Sequence, residues 1–194
     1  MLILVRHGRT DANARKLLLG RLDPSLDEEG RRQARTLAPT VGAAADVITS
    51  PLRRARETAA EVAGDAPVKV DERWIEIDYG VLDGTPLGEV PIDLWANWRA
   101  DSSFAPPGGE SLASLQARVA DACDELAPRI ADEDIVVVSH VSPIKAAVAW
   151  TLGFGPELAW RLYLAPASVT RIAIGPAGPV LHSFDETFHL RGPR

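Results

Sequence analysis

Apolar residues along the chain follow two kinds of spacing, one typical of strands and the other typical of helices. Leu2–Arg6 is a nearly continuous apolar run, which predicts a buried strand at the start of the fold. From Leu112 to Ile130 apolar residues recur at steps of three and four, and Ser111 can cap the helix that this spacing predicts. Similar patterns predict further strands at 46–49, 68–70 and 135–139, and helices at 27–41, 52–62, 94–98 and 142–152. Apolar residues also alternate with other residues at 162–164, 169–174 and 180–182, which is the spacing typical of strands.

Strands that alternate with helices are typical of an α/β fold, in which helices cover both faces of a sheet. The length of 194 residues suits one domain of roughly 150–200 residues with a substantial core. Residues 77–110 interrupt the pattern, and Gly80, Gly84 and Pro86 are among the residues that break it. We therefore expect a single domain over 1–194, with a lid or insertion at about 77–110 that covers an active site.

Charge and cysteine content exclude several classes of protein. The chain has 27 acidic and 21 basic residues, a formal net charge of −6, and no block of Lys and Arg, which argues against a nucleic-acid partner. The single cysteine, Cys123, excludes a disulfide framework and a thiolate metal cluster, and its place on an apolar helix face predicts a core residue. The apolar run at 2–5 is too short for a signal peptide or a membrane span. We expect a cytoplasmic protein with no membrane partner, either a monomer or a homodimer.

Basic and imidazole side chains lie where three predicted strands end. The first strand leads into Arg6 and His7, the strand at 135–139 leads into His140, and Arg53 follows the strand at 46–49. Ligands in open α/β sheets bind beyond the carboxyl ends of the strands. Arginine side chains and helix N-termini both bind phosphate oxygens. The three strand ends therefore predict a site for a tightly held anion such as phosphate.

Each of these residues also has an ordinary structural interpretation. A single histidine at a strand end is commonly a turn residue, Gly8 fits a turn, and we assign Arg54 and Arg56 to the exposed face of their helix. No Gly-x-Gly-x-x-Gly follows a strand and no Gly-x-x-x-x-Gly-Lys loop is present, which argues against a nucleotide-binding protein.

The joint order of six segments resembles the histidine phosphatase superfamily, also called phosphoglycerate mutase-like. Arg6, His7 and Gly8 lie in the segment similar to its signature, and the match extends over nearly the whole chain. Around His140 the sequence is similar to bacterial phosphatase domains related to alpha-ribazole phosphatase. The resemblance implies a three-layer α/β/α sandwich with a mostly parallel central sheet. The matching segments are 4–13, 20–34, 49–59, 74–80, 106–111 and 136–140.

The resemblance also implies a role for each matching residue. His7 is the expected nucleophile, which forms a phosphohistidine, and Glu76 is the expected general acid and base. Arg6, Arg53 and His140 are expected to hold the phosphoryl oxygens and to stabilise charge in the transition state. No cofactor or metal is implied, because the cationic side chains supply the positive charge. The further residues expected to bind substrate are Asn13, Arg21 and Ser111.

Physical chemistry adds two expectations about the histidines. A nucleophilic imidazole has to be neutral, which nearby arginines favour, and its other nitrogen needs a fixed acceptor. We expect that acceptor to be a backbone carbonyl in the Gly8 turn. The chain departs from the family at Val141, which follows His140 where the family usually has glycine. We interpret Val141 as a mark of a subgroup with intact function.

Two activities, hydrolysis and mutase transfer, share the phosphohistidine step. Mutases of this family resemble one another in a longer, basic stretch after the acid residue, whereas here 77–110 is short, and Arg99 is the one basic residue within it. Its acidic residues predict a roof that disfavours a second anionic group, so we favour a phosphomonoesterase over a 2,3-bisphosphoglycerate-dependent mutase. These acidic residues are Asp78, Asp83, Glu89, Asp93 and Asp101.

The expected partner is a small phosphorylated metabolite of open identity. Alpha-ribazole phosphate, a sugar phosphate and a phosphoglycerate-type acid are all compatible with the motifs. A non-catalytic phosphate-binding module on the same fold is the alternative from another class. That alternative predicts the loss of at least one of the five expected catalytic residues, and all five are present.

Overall fold

The computed structural model describes residues 1–191 as a six-stranded mixed sheet with helices on both faces. The strands lie in the order β3-β2-β4-β1-β5-β6. The first four strands of the chain are mutually parallel where they pair, and β5 and β6 are antiparallel. The expected α/β class and mostly parallel sheet are confirmed. The strands are β1 Leu2–Arg6, β2 Asp46–Thr49, β3 Val68–Val70, β4 Ile135–Ser139, β5 Val169–Gly175 and β6 Gly178–Glu186.

Seven α-helices connect and cover these strands in the described part of the chain. They are α1 Asp11–Ala14, α2 Glu28–Arg35, α3 Ala38–Val41, α4 Arg53–Ala63, α5 Ile92–Ala100, α6 Leu112–Ile130 and α7 Val141–Leu152. Short 3₁₀ helices lie at Glu72–Trp74, Gly80–Leu82, Leu87–Glu89, Pro156–Arg161 and Phe188–Leu190.

Alternate residues of the central strands enter two separate hydrophobic cores. In β1, Leu2 and Leu4 pack on one side with α6 and α7, whereas Ile3 and Val5 pack on the other side with α3 and α4. Strand β4 divides its residues in the same way. Because successive side chains of a strand point to opposite faces, this division produces three layers. Cys123 lies buried in the first core, as predicted.

Neighbouring strands bring the expected site residues to one edge of the sheet. Strands β2, β4 and β1 are adjacent and parallel, so their carboxyl ends lie side by side. The pairing continues beyond the strands, since His7 N–H donates to Ser139 O at 3.0 Å and Ser50 N–H donates to Val138 O at 3.0 Å. The residues that follow these strand ends are therefore held at fixed backbone positions.

Two predicted elements differ in the structure, and proline explains the first difference. The single helix expected at 27–41 is two helices, α2 and α3, because Pro39 has no N–H to donate and its ring clashes with the preceding turn. The alternating positions 162–164 are not a strand. Pro156 instead begins a 3₁₀ helix that ends at Arg161, and the chain continues from there as a loop.

Residues 77–110 contain α5 and two short 3₁₀ helices, and they are fastened to the loop before α2. Asp83 accepts hydrogen bonds from the backbone N–H groups of residues 20, 21 and 22 at 2.7–2.8 Å. Leu17 and Pro86 form an isolated bridge. Among the residues described, no helix is both long and apolar enough to cross a membrane.

Candidate active site

His7 lies buried directly after β1, with both ring nitrogens in hydrogen bonds. Its Nδ1 is 2.7 Å from Gly8 O, which confirms the expected acceptor. Since a carbonyl can only accept, Nδ1 carries the proton and Nε2 has the lone pair. Arg54 Nε donates to this Nε2 at 3.2 Å. Burial, and then the charges of Arg54 and Arg6, hold the pKa of His7 well below its ordinary value. The imidazole is therefore a neutral potential nucleophile at physiological pH.

The turn that holds His7 depends on close contact between two glycine backbones. A Cβ on Gly8 would lie 2.4 Å from Gly30 O, and a Cβ on Gly30 would lie 2.0 Å from Arg9 O. Gly8 N–H also donates to Thr58 Oγ1 at 3.1 Å. Because both glycines lack side chains, α2 can pack directly against the backbone that carries the imidazole.

The arginine beside His7 is Arg54, which contradicts the assignment of Arg53 to this cluster. Arg54 is fully buried, and its two Nη atoms donate to Leu22 O at 2.7 Å and Gly20 O at 2.8 Å. Arg53 is exposed and forms an ion pair with Glu57 at 2.7 Å. It lines a separate surface groove of about 720 Å³ between α4 and the exposed strand β3.

Helical geometry explains why Arg54, and not Arg53, faces His7. Helix α4 begins at Arg53, and each further residue turns by about 100° around the axis. Arg54, Thr58 and Val62 are four residues apart, and all three side chains are buried. Steps of four back from the apolar Val62 lead to 58 and 54, so this spacing is the sequence signal that identifies the inward arginine.

Arg6 enters the site from the end of β1. Its Nη1 donates to Leu164 O at 2.5 Å, and its Nε is buried without a hydrogen-bond partner in the described chain. Burial lowers the pKa of Arg6 from its ordinary value, while Glu76 opposes the shift. The guanidinium thus keeps hydrogen-bond donors for an anion.

His140 lies against His7, with ring centroids 5.0 Å apart. Its Nε2 is 2.7 Å from Ser50 Oγ, while its Nδ1 is buried and has no partner among residues 1–191. Burial, and then the charge of Arg54, hold the pKa of His140 well below its ordinary value. The sequence interpretation missed Ser50, although it lies in the same segment as Arg54 and directly after a strand.

Glu76 reaches the same site from the loop before the 77–110 segment. Its side chain is 3% exposed, and Oε1 accepts from Ile77 N–H at 2.8 Å and from Ser142 N–H at 3.2 Å. The second donor belongs to the first turn of α7, where free N–H groups and the helix dipole favour a carboxylate. No hydrogen bond to Oε2 is found within the described residues, so this oxygen is the one free to exchange a proton.

A cleft of about 300 Å³ joins these groups. Arg6, His7, Asn13 and Glu76 line it, together with Tyr79, a residue that the sequence interpretation missed. Burial raises the pKa of Tyr79, so its hydroxyl keeps its proton. The structure therefore brings four of the expected residues into one cleft, and it places His140 and Arg54 against His7.

Three further candidates have other contacts. Asn13 lines the cleft, but its Oδ1 accepts from Thr10 N–H at 3.1 Å and caps α1. Arg21 lies 3.5 Å from Glu110 in an ion pair and does not line the cleft. Ser111 caps α6 by accepting from Ser114 N–H at 3.1 Å, and it also lies outside the cleft lining.

The family model of the histidine phosphatase superfamily (branch 1) matches residues 2–187. The chain belongs to this superfamily. The chain is 35% identical over 177 residues to a bifunctional protein of Mycobacterium tuberculosis and spans about half of that relative's length. It is 36% identical to phosphoserine phosphatase 1 of Hydrogenobacter thermophilus, with 97% of this chain and 93% of the relative covered. A 2,3-bisphosphoglycerate-dependent phosphoglycerate mutase of Beijerinckia indica is 33% identical, with 81% and 83% covered.

Solved structures of this histidine phosphatase fold superpose on nearly the entire chain. A phosphoserine phosphatase from Entamoeba histolytica, a mutant in complex with phosphoserine, gives a TM-score of 0.91 at 30% identity, with 98% of each chain covered. A mycobacterial glucosyl-3-phosphoglycerate phosphatase gives 0.85 at 30% identity, with 96% and 98% covered. A putative alpha-ribazole-5'-P phosphatase from Escherichia coli gives 0.83 at 26% identity, with 95% of each covered.

Proposed function

We propose that this histidine phosphatase hydrolyses phosphomonoesters of small metabolites through a phosphohistidine intermediate. The observation that carries the proposal is the neutral His7, whose Nε2 lone pair points at a buried guanidinium beside Arg6, His140 and Glu76. A nucleophile next to fixed cationic donors is the arrangement that phosphoryl transfer requires. Similarity to phosphatases acting on phosphoserine and glucosyl-3-phosphoglycerate supports hydrolysis of a small phosphate ester.

In the first step, His7 Nε2 attacks phosphorus, an N–P bond forms, and the bond from phosphorus to the leaving oxygen breaks. Arg54 Nε, which donates to Nε2 in this structure, turns its N–H to a phosphoryl oxygen. Arg6 binds a second oxygen through its unpartnered Nε. When Ser50 O–H donates to His140 Nε2, His140 Nδ1–H becomes the donor for a third oxygen.

Glu76 completes both steps as the proton carrier. Its carboxyl group gives a proton to the leaving oxygen, and the resulting carboxylate then takes a proton from the water that attacks the phosphohistidine. Inorganic phosphate leaves, and His7 returns to its neutral form. The α7 N–H donor to Oε1 keeps the other oxygen pointed at the reacting groups.

The competing activity is the mutase reaction, in which a substrate hydroxyl instead of water accepts the phosphoryl group. One argument against it, the acidic roof, does not hold, because none of the six acidic residues of 77–110, Glu110 included, lines the cleft. Asp83 binds three backbone N–H groups, and Asp78 and Asp101 bind the N–H groups of Gly80 and Ser103. The preference for hydrolysis therefore rests on the similarity to phosphatases.

One experiment tests hydrolysis, transfer and the intermediate together. The protein is incubated separately with 4-nitrophenyl phosphate and with 3-phosphoglycerate, and both phosphate release and 2-phosphoglycerate formation are measured. We expect phosphate release to predominate, and we expect phosphate label to attach to wild-type protein in an acid-labile form. His7→Ala should abolish turnover and label. Dominant isomerisation would assign the mutase activity, and turnover by His7→Ala at the wild-type rate would refute the nucleophile.

A further inference from the structure

A second cavity, of about 290 Å³, adjoins the catalytic cleft. Leu18, Tyr79, Leu87 and Val141 line both spaces, so these side chains form the boundary between the cleft and the cavity. Its size is at the lower end of the range for ligand pockets, about 300–1,000 Å³. The second cavity therefore suits a compact leaving group. We call it the aromatic pocket, after three tryptophans in its lining.

The aromatic pocket has a wall of three indole rings from two segments. Trp95 and Trp98 of α5 stack with centroids 5.8 Å apart, and Trp160 meets them edge-on at 6.0 and 6.2 Å. Trp98 is buried, and its Nε1 has no hydrogen-bond partner among the described residues. A wall of this kind favours a flat apolar group and also holds one donor for an oxygen.

Lys145 supplies the one cationic group in the lining of the aromatic pocket. It lies one helical turn after Val141 in α7, and its Nζ donates to Ala159 O at 2.9 Å. No carboxylate of residues 1–191 lies within 4.0 Å of this Nζ, so its other N–H groups are without an anionic partner. Glu76 is a carboxylate whose charge favours this ammonium, but it forms no ion pair with it, and a half-buried ammonium is unfavourable unless it is paired. The pairing group is therefore expected to come from a ligand.

We propose that the leaving group of the substrate occupies the aromatic pocket, with its flat apolar part against the tryptophans and a carboxylate on Lys145. This inference rests on the proposed phosphatase function, and it names the substrate class as monophosphate esters of small carboxylic acids with a flat apolar part. It also reverses the expectation that a second anionic group is disfavoured. Val141, placed where the family usually has glycine, lines both spaces and adds an apolar side chain at their boundary.

Two esters of nearly equal shape test whether the aromatic pocket prefers a substrate that carries a carboxylate. These are 3-carboxyphenyl phosphate and 3-carbamoylphenyl phosphate, which differ in charge but little in size. We expect wild-type kcat/KM to favour the carboxylate by about tenfold or more, the factor typical of a hydrogen bond between charged groups. The difference should appear mainly in KM. A wild-type ratio near one would overturn the proposal.

The three lysines of the chain provide matched variants. Lys145→Met should bring the ratio close to one, because it lowers kcat/KM more for the carboxylate ester than for the carbamoyl ester, and Lys145→Arg should restore the preference. Lys69→Met, at a surface ion pair with Asp46, should keep it. Lys16→Met, which removes the other lysine near the cleft, should also keep it. Loss of the preference in Lys16→Met, or its survival in Lys145→Met, would overturn the proposal.

The two esters also separate this inference from the proposed function. Hydrolysis of the carbamoyl ester with no preference for the carboxylate refutes the binding role of Lys145 and leaves the phosphatase intact. If the wild-type protein hydrolyses none of the three esters, including 4-nitrophenyl phosphate, both this inference and the proposed phosphatase function are refuted. Because the readout is a ratio within one variant, a partly unfolded preparation changes both rates alike.

Discussion

Arg53 and Arg54 are neighbours of the same residue type in opposite environments, which makes them a matched pair. Arg54 is buried against His7, whereas Arg53 pairs with Glu57 at the surface. We expect Arg54→Ala to lower kcat/KM for 4-nitrophenyl phosphate by about 10²–10³-fold, because a donor for the developing phosphoryl charge is removed. We expect Arg53→Ala to stay within about threefold of wild type.

Thermal melting separates a catalytic loss from a folding defect in this pair. Arg54 also binds Gly20 O and Leu22 O, so its replacement loosens that loop. Arg54→Lys retains the charge but loses the forked donor geometry, and it should recover only part of the rate. Equal losses in the two alanine variants, or full activity in Arg54→Ala, would contradict the assignment.

At the scale of single residues, the sequence predicted which chemical groups the site needs better than it predicted which side chains point into the site. The need for a neutral nucleophile correctly predicted a carbonyl in the Gly8 turn as the partner of His7. The choice between Arg53 and Arg54 failed because it depends on a turn of about 100°, which is set by the residue at which α4 begins. Ser50 went unnoticed because its role depends on β2 and β4 being adjacent.

At the scale of elements, Gly30 shows how a helix can fix a catalytic turn. Alanine normally stabilises a helix relative to glycine by about 1 kcal/mol. Here a Cβ on Gly30 would lie 2.0 Å from Arg9 O, so α2 would have to move from the His7 turn. We expect Gly30→Ala to lower the free energy of unfolding by about 1–3 kcal/mol, measured by urea titration, and to reduce kcat.

Gly88→Ala is the control for this prediction. Gly88 has open space where a Cβ would lie, so its replacement should leave stability and kcat near wild type. A Gly30→Ala protein as stable and active as wild type would show that the turn does not depend on the contact with α2.

Element boundaries were predictable where local sequence decides them. Ser111 caps α6, and the apolar spacing that follows it predicted the extent of the helix. The acidic residues of 77–110 were misinterpreted as a roof because composition does not show direction. Asp83 uses its carboxylate to hold a neighbouring loop, which is a long-range contact. The same limit applies to the three tryptophans, whose common wall forms only when α5 and the 3₁₀ helix at Pro156–Arg161 meet.

At the scale of the whole molecule, the net charge is negative, whereas basic side chains gather around the cleft. The chain carries −6 overall, yet the cleft gathers Arg6, Lys16 and the nearby Arg54 around a buried histidine. Global charge affects solubility and long-range steering, whereas binding depends on where a few cations lie. The α/β class followed from the alternation of elements, but the order of the strands required the three-dimensional contacts.

Burial of two neutral histidines also links stability of the whole fold to pH. The pKa values of His7 and His140 are held well below their ordinary value, first by burial and then by nearby positive charge. In the unfolded chain both histidines titrate near the ordinary value of about 6.5. Below that pH the unfolded state binds protons that the folded state excludes, so the free energy of unfolding falls as the pH falls.

Unfolding at several pH values measures this linkage directly. We expect the free energy of unfolding, from urea titrations, to fall between pH 7.5 and 5.5 by up to about 3 kcal/mol, since a histidine that stays neutral in the folded state contributes about 1.4 kcal/mol over this range. His140→Gln should roughly halve the fall, whatever its absolute stability, because one linked proton is removed. His182→Gln, at an exposed position, should leave the fall unchanged. Hydrogen bonds from Arg129 and Lys69 lower the pKa of Asp46. Burial acts to raise the pKa of Asp71, but contacts with Arg73 outweigh it and lower this pKa. Both carboxylates lose their contribution only in a separate window near pH 4 and below. A wild-type protein equally stable at pH 7.5 and 5.5 would mean that the site admits protons, and that His7 is not kept neutral by its surroundings.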